Sequence, residues 1–271
     1  MAESTQHKVA IIGTGNIGRS IAEGLVKSRK YKPAEIILTR KQTKFLDDLE
    51  AKGYEVSNDN IKAAKDSRIV ILAVRPSQAD AVLREISGVL IPDHRVISII
   101  TDVSLATMYK YINSYVPVIR AMPNIAISIR ESMTCLAALP EHATALKEAE
   151  ELFSVLGQTL VIEEHLMVPA TVLGACGVAF FLRAIRAASQ GGIQIGFHAE
   201  DALRIAAQTA KGAAELLLKL DTHPESAIDK VTTPRGCTIA GLNEMEHEGF
   251  SSSLIKGILR SFEQAENLYK E

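Results

Sequence analysis

Two stretches of the chain combine residue types at spacings that could do chemistry. The first is Gly13-Thr14-Gly15-Asn16-Ile17-Gly18, a GxGxxG pattern directly after the apolar run Val9-Ala10-Ile11-Ile12. Between a strand and a helix, such a loop uses Gly13 for the tight turn, Gly15 for close approach of a pyrophosphate and Gly18 for helix–strand packing. Free N–H groups at the helix start, and the helix dipole, favour the anion. The bland alternative is a glycine-rich packing turn without a ligand. The second stretch, residues 231–242, reads V-T-T-P-R-G-C-T-I-A-G-L and interrupts two helical patterns. Thr232 and Thr233 offer hydroxyls there, and the N–H groups around Gly236, Cys237 and Thr238 could form an anion pocket at a helix start. Gly236 lets the backbone come close, and Pro234 suits a first helical turn. Arg235 either strengthens anion attraction or points into water. By residue type alone, Thr238 reads as a helix cap.

The end of the second strand bears on which dinucleotide the first stretch would take. An NAD site places a carboxylate there, about 20 residues past the glycine loop, on the ribose 2′-OH. Here the position reads Thr39-Arg40-Lys41. One hydroxyl and two cations suit a 2′-phosphate, so NADPH is favoured and NADH stays possible; a solvated basic turn is the alternative.

These residues need a scaffold, and the hydrophobic pattern supplies one. Residues 9–12, 35–39, 69–73 and 96–100 are short β-branched runs that read as buried parallel strands, with further strands expected at 116–121, 132–139 and 159–161. Helical patterns at 17–28 and 43–52 lie between the first of them, the latter stopped by Gly53. The rhythm predicts an α/β fold, a Rossmann-type doubly wound sheet over residues 1–164. From 165 to 271 the strand runs vanish and helical patterns take over at 166–189, 199–220, 242–247 and 252–269, predicting an all-α C-terminal domain. Residues 166–182 carry no charge but contain Pro169, Gly174 and Gly177, at the lower edge of membrane-spanning length. A buried helix in an oligomer core is the expectation.

Composition narrows the function classes. With 47 % hydrophobic residues the chain can build a core, and a net charge of −2 without a basic block gives little support to a nucleic-acid surface. Trp is absent, which argues against a base-stacking platform. Cys135, Cys176 and Cys237 form no CxxC pair, and His247-Glu248 lacks the second histidine of HExxH, so no metal is expected. The polar N-terminus does not read as a signal peptide. A cytoplasmic protein with reduced thiols is the expectation, with no nucleic-acid or membrane partner.

Four blocks in order resemble the pyrroline-5-carboxylate reductase family along nearly the whole chain. Ile12 to Gly18 is similar to the family's cofactor loop. Ile71-Leu72-Ala73-Val74-Arg75-Pro76 resembles its L-A-V-K-P block, and Arg120-Ala121-Met122-Pro123-Asn124 its R-x-M-P-N block. Asp229 to Leu242 resembles D-x-V-[TS]-S-P-G-G-T-T-I-A-G-L, the substrate segment. The resemblance implies a Rossmann domain, a helical dimerisation domain with active sites completed across a homodimer or a higher assembly of dimers, and reduction of 1-pyrroline-5-carboxylate to L-proline. It implies cofactor contacts from Gly13, Thr14, Gly15, Asn16, Ile17, Gly18, Thr39, Arg40, Lys41, Asn60, Ala73, Val74, Arg75, Pro76, Met122, Pro123 and Asn124. It implies substrate contacts from Val231, Thr232, Thr233, Gly236, Cys237 and Thr238, with Thr238 at the substrate nitrogen as the catalytic residue. Asn60 would lie near the cofactor ribose; a helix N-cap within Ser57-Asn58-Asp59-Asn60 is the other reading.

The sequence departs from the family in three places. The family's S-G-S-G-P-A-Y appears as Leu173-Gly174-Ala175-Cys176-Gly177-Val178-Ala179-Phe180, its P-G-G as Pro234-Arg235-Gly236, and an A-G-[VI] turn as Thr101-Asp102-Val103. A non-catalytic NADP-binding regulatory relative, or a related imine or β-hydroxyacid reductase, is therefore carried as an alternative. No lysine lies within 166–182, where β-hydroxyacid enzymes usually place their acid/base.

Overall fold

The computed structural model describes residues 7–268. Eight strands, β1 (His7–Ile12), β2 (Ile36–Thr39), β3 (Glu55–Ser57), β4 (Ser67–Leu72), β5 (Arg95–Ser98), β6 (Val118–Met122), β7 (Ser132–Ala138) and β8 (Gly157–Val161), form one sheet in the order β3-β2-β1-β4-β5-β6-β7-β8. Every neighbouring pair is parallel except β6 and β7. The strands run as expected to within a few residues, but β3 was not foreseen: it is short, half-buried and carries a charge.

The order reverses at β1, with β2 on one side and β4 on the other, and a crevice opens there beyond the strand ends. Ile12 is in register with both Thr39 and Leu72, so Gly13, Arg40 and Ala73 leave the sheet at one level. Val9 to Ile12 are fully or almost fully buried, Val9 and Ile11 in one apolar cluster and Ile12 in another. Each such side chain contributes about 1.5–3 kcal/mol of burial, which fixes the register on both faces.

In this part of the chain lie α1 (Asn16–Lys27), α2 (Asp47–Glu50), α3 (Asn60–Lys65), α4 (Pro76–Ile86), α5 (Leu105–Met108), α6 (Ala143–Phe153) and α7 (Met167–Ala170). The helix expected at 43–52 is a tight 3₁₀ turn, Thr43–Leu46, followed by α2. Gly24 of α1 has no room for a Cβ, which would meet Leu156 Cδ2 at 2.5 Å. That close approach presses α1 onto the apolar segment preceding β8.

The second part holds α8 (Gly177–Gln194), α9 (Ala199–Leu220), α10 (Pro224–Asp229), α11 (Cys237–His247) and α12 (Phe250–Leu268). The helical run Glu164–Gln194 is long and apolar enough to cross a membrane by length and composition. Within it, Thr171–Cys176 winds as a π segment around Gly174. By contacts the chain divides at Ala175, with one unit ending there and rejoined by the chain from Ala265, and a second unit spanning Cys176–Gln264. That point is later than the change in composition at 164/165, because Met167 and Val172 are buried with the sheet unit; Met167 packs with Met122, Cys135 and Ala137.

The second unit buries very little. Among its described residues only Gly177, Ser189 and Ala202 are buried. α8 and α9 pack on each other where Gly192 faces Ala202, while Phe181, Leu182, Ile195, Leu218 and Ile255 are more than half exposed. Apolar helices that bury so little of their own surface need a partner to cover it.

Candidate functional site

A cleft of about 400 Å³ opens beyond the ends of β1, β2 and β4. From the glycine loop it is lined by Gly13, Thr14 and Gly15, from the end of β2 by Thr39, Arg40 and Lys41, and from α3 by Asn60. The chain leaving β4 adds Ala73, Val74 and Arg75. Of the cofactor residues expected from sequence, Asn16, Ile17, Gly18, Pro76, Met122, Pro123 and Asn124 do not line it.

The loop is shaped to admit a ligand. Gly13 has φ +88°, and a Cβ there would collide with Val74 Cγ1 and the Ala73 backbone. Its N–H and that of Thr14 both donate to Thr39 O, at 3.1 and 2.9 Å, which ties the loop to β2. A Cβ built on Gly15 would meet no atom of the described residues within 4 Å. Gly15 is also the N-cap of α1 and supplies no side-chain acceptor, so the helix start is uncapped and faces open space. Uncapped N–H groups, a helix dipole and room over a glycine suit a diphosphate.

At the 2′ end, Thr39 Oγ1 donates to Asn60 Oδ1 at 2.6 Å, and Asn60 Nδ2 donates to Glu85 Oε2 at 2.9 Å. Asn60 is the first residue of α3 rather than its cap; Asp59 is the cap and accepts from Lys62 N–H. Arg40 Nη1 donates to Thr14 O at 3.3 Å, and its guanidinium lies over the Phe45 ring. Arg19, on α1, donates Nη2 to Phe45 O and to Asp48 Oδ1, both at 2.9 Å. This guanidinium holds the Asp48 carboxyl below the usual carboxylate range.

Met122, the last residue of β6, and Pro123 and Asn124 just past it are buried. Asn124 accepts from Ala126 N–H, receives Ser132 Oγ as the acceptor of its own N–H, and donates Nδ2 to Gly174 O at 3.1 Å. In this structure its polar atoms therefore hold backbone, including the π segment. Two residues before Met122 on β6, the Arg120 side chain is 7 % exposed and pairs with Glu164 at 3.2 Å. The same Glu164 oxygen accepts Leu105 N–H at 2.6 Å. Arg120 Nη2 is buried without a hydrogen-bond partner among the described residues.

The hydroxyl-rich segment belongs to the second unit. Gly236 N–H donates to Thr233 O at 2.9 Å, closing a β-turn with Pro234 and Arg235 at its centre. Pro234 is thus the first central residue of a turn, not part of a first helical turn. Arg235 has φ +60°, the conformation a type II turn demands at that position and normally assigns to glycine. Arg235 is exposed and has no ion pair among the described residues. Gly236 is the N-cap of α11, and a Cβ there would meet Thr233 Oγ1 at 2.5 Å. α11 starts at Cys237, earlier than expected, so Thr238 lies inside the first turn and is not its cap. Thr232 Oγ1 donates to Asp229 O at 3.2 Å, and Val231 is exposed. Asp102, in the altered A-G-[VI] turn, also adopts positive φ (+71°), and its Oδ1 is buried without a partner among the described residues.

Sequence reasoning missed Ile12, Gln42, Phe45, Gln78 and Val82 as cleft-lining residues. Gln78 and Val82 sit one turn apart on α4 and so share a face, but nothing local distinguishes that face from an ordinary packing stripe. For Gln42 and Phe45, the irregular turn after β2 gives no period to read.

Residues 164–268 match the family described as pyrroline-5-carboxylate reductase dimerisation, and residues 8–102 match NADP oxidoreductase coenzyme F420-dependent. Pyrroline-5-carboxylate reductase 1 of Dictyostelium discoideum is 49 % identical over 97 % of the chain and 50 % of its own length, so the chain spans half of that relative. Pyrroline-5-carboxylate reductase 2 of the same organism is 46 % identical, over 95 % of the chain and 91 % of the relative. The enzyme of that name from Methanosarcina acetivorans is 35 % identical, over 97 % and 98 %. Among solved structures, a pyrroline-5-carboxylate reductase from Coxiella burnetii superposes with a TM-score of 0.89 at 26 % identity, covering 98 % of this chain and 100 % of that one. A Plasmodium falciparum pyrroline carboxylate reductase with NADP bound shares the fold, with a TM-score of 0.86 at 22 % identity over 98 % and 99 %.

Proposed function

Because this chain belongs to the pyrroline-5-carboxylate reductase family, we propose that it reduces 1-pyrroline-5-carboxylate to L-proline with NADPH, the last step of proline biosynthesis. The observation that carries the cofactor half of this reading is the open space over Gly15, between the uncapped start of α1 and a cationic β2 end. NADPH, when bound, supplies the hydride that reduces the C=N carbon. Gly13, Thr14, Gly15, Asn16, Ile17 and Gly18 hold the diphosphate, the first three by backbone approach and the others by opening the helix. Thr39, Arg40, Lys41 and Asn60 hold the adenosine ribose and its 2′-phosphate. Ala73, Val74, Arg75 and Pro76 border the cofactor along the start of α4, and Met122, Pro123 and Asn124 back the nicotinamide end.

The substrate segment has two tasks. Val231, Thr232, Thr233, Gly236 and Cys237 bind the ring acid, its carboxylate taken by hydroxyls and by N–H groups at the start of α11. Reduction would add hydride to the C=N carbon and a proton, taken ultimately from solvent, to the nitrogen; the Thr238 hydroxyl would hydrogen-bond that nitrogen as its electron density rises. No histidine or glutamate occurs in residues 229–242, and their one lysine, Lys230, precedes the hydroxyl cluster, so a hydroxyl is the favoured group.

The protein works in the cytoplasm as a homodimer or an assembly of dimers, with 165–271 as the dimerisation and substrate domain. The bare apolar faces of α8, α9 and α12 support an assembly. The test is an assay of purified protein with NADPH and 1-pyrroline-5-carboxylate, following nicotinamide absorbance and proline formation. Tight NADPH binding without turnover on this or related cyclic imine acids would leave the regulatory alternative, which the altered residues 173–180 motivate.

A further inference from the structure

Arg40 is held from one side and left open on the other. Its Nη1 donates to Thr14 O at 3.3 Å, and its guanidinium carbon lies 4.6 Å from the centroid of the Phe45 ring. Among the described residues it has no carboxylate partner, whereas neighbouring cations do: Arg19 is engaged by Asp48 and Lys52 by Glu23. A guanidinium carries five N–H donors in one plane, so most of those on Arg40 are unused. Phe45 is itself unusual for its setting. It lines the cleft, yet it is 49 % exposed and absent from the apolar clusters. Its backbone is anchored, because Arg19 Nη2 grips Phe45 O and Asp48 together. Lys44 Nζ also lies 5.4 Å from the ring centroid.

We propose that Phe45 is a specificity-determining positioning residue, whose ring holds the Arg40 guanidinium across the cleft mouth so that its free N–H edge meets the 2′-phosphate of NADPH. The proposal rests on the reading of the cleft as an NADPH site. The ring quadrupole attracts the cation and favours a flat guanidinium over its face. A phosphate is recognised by the in-plane N–H groups, which stacking leaves accessible. The contact therefore reduces the rotamer freedom that Arg40 would otherwise lose on binding. A ligand without the 2′-phosphate gains nothing from that ordering, so Phe45 affects the preference between the two cofactors rather than dinucleotide binding in general. The circuit from α1 through Arg19, the Phe45 backbone, its ring, Arg40 and Thr14 O returns to the glycine loop, which keeps the ring in place.

The test is calorimetric titration of the full chain with adenosine 2′,5′-bisphosphate and with 5′-AMP, for the native protein and for Phe45→Leu, Phe45→Tyr and Arg40→Ala. Phe45→Leu is expected to lower the ratio of the two affinities about threefold to thirtyfold, the span from exposed to desolvated cation–π contacts. Affinity for 5′-AMP and the melting temperature should hold, and Phe45→Tyr should restore the ratio. An unchanged ratio in Phe45→Leu, while Arg40→Ala collapses it, overturns the proposal and leaves the cofactor reading intact. An unchanged ratio in Arg40→Ala overturns both. A fall in 5′-AMP affinity equal to the fall for the bisphosphate would make Phe45 an adenosine contact and also overturn the proposal.

Discussion

Gly15→Ala separates the binding of a diphosphate from the folding of the loop that would bind it. Gly15 has φ −89°, which other residues adopt, and no atom of the described residues lies within 4 Å of a Cβ built there. The folded state should therefore accept alanine, and the loss of unfolded-state freedom can stabilise it by about 0.4–1 kcal/mol. The same methyl would occupy the space over the uncapped start of α1. Moving a phosphate out of reach of one charge-assisted N–H bond costs about 1.5–3 kcal/mol, a weakening of NADPH binding of about 10- to 150-fold. Gly13→Ala is the contrasting variant, because its positive φ costs about 1–2 kcal/mol and the collision with Val74 adds about 1–3 kcal/mol of overpacking. The assay is thermal melting paired with NADPH fluorescence titration for both variants. Undiminished NADPH affinity in Gly15→Ala would falsify the diphosphate position, and a melting temperature lowered as far as that of Gly13→Ala would refute the claim of open space.

Four further perturbations probe other parts of the chain. Thr238→Ala should lower kcat about 10²-fold, as expected for one lost donor to charge developing at the reacting nitrogen; an unchanged kcat in steady-state assays would reduce Thr238 to a packing role. Arg235→Gly should stabilise the protein by about 0.5–1 kcal/mol, the left-handed cost relieved less the extra entropy of glycine, and a lowered urea midpoint would contradict this. Glu164→Ala leaves Arg120, 7 % exposed, without its carboxylate; the expected loss is about 2–3 kcal/mol, below the range for fully buried pairs because Glu164 is 30 % exposed, and chemical denaturation showing no loss would rule the pair out as a support. Burial pushes the Tyr54 hydroxyl up to about 12 from 10.0. Its folded-state pKa is raised, so its stability contribution is complete below pH 10 and is lost as pH rises towards 12; Tyr54→Phe should flatten an alkaline denaturation series over that window, and an unaltered slope would speak against it.

Much of the sheet was legible because parallel strands buried on both faces read as unbroken apolar runs, as in Val9-Ala10-Ile11-Ile12 and Ile69-Val70-Ile71-Leu72. β3 escaped because Glu55-Val56-Ser57 is an edge strand of three half-buried residues with no such run. The glycine loop was legible through its spacing together with its place between the first apolar run and a helical pattern. The cap of α3 was not, because Ser57, Asn58, Asp59 and Asn60 are all competent caps and tertiary geometry selects among them. The start of α11 was placed too late because Thr232-Thr233-Pro234-Arg235-Gly236-Cys237 has no helical period. The turn within it was not legible: Pro234 suits a first helical turn as well as a β-turn, and arginine stands where glycine would announce the second central position. Phe45 was beyond sequence reasoning altogether, because its contact with Arg40 depends on a turn geometry that leaves no periodic signal.

The sparse interior of the second unit has a thermodynamic consequence. A bundle segment that buries only Gly177, Ser189 and Ala202 among its described residues offsets little of the conformational entropy lost on ordering it. In the homo-oligomer proposed above, most of its stabilising area would come from association, which would make its folding a mass-action event. Its melting temperature is then a function of protein concentration rather than a constant of the chain. Dilution would loosen the segment carrying Thr232 to Thr238 while the sheet unit, with its own buried clusters, keeps its cofactor cleft. Loss of turnover on dilution would accordingly precede loss of dinucleotide binding.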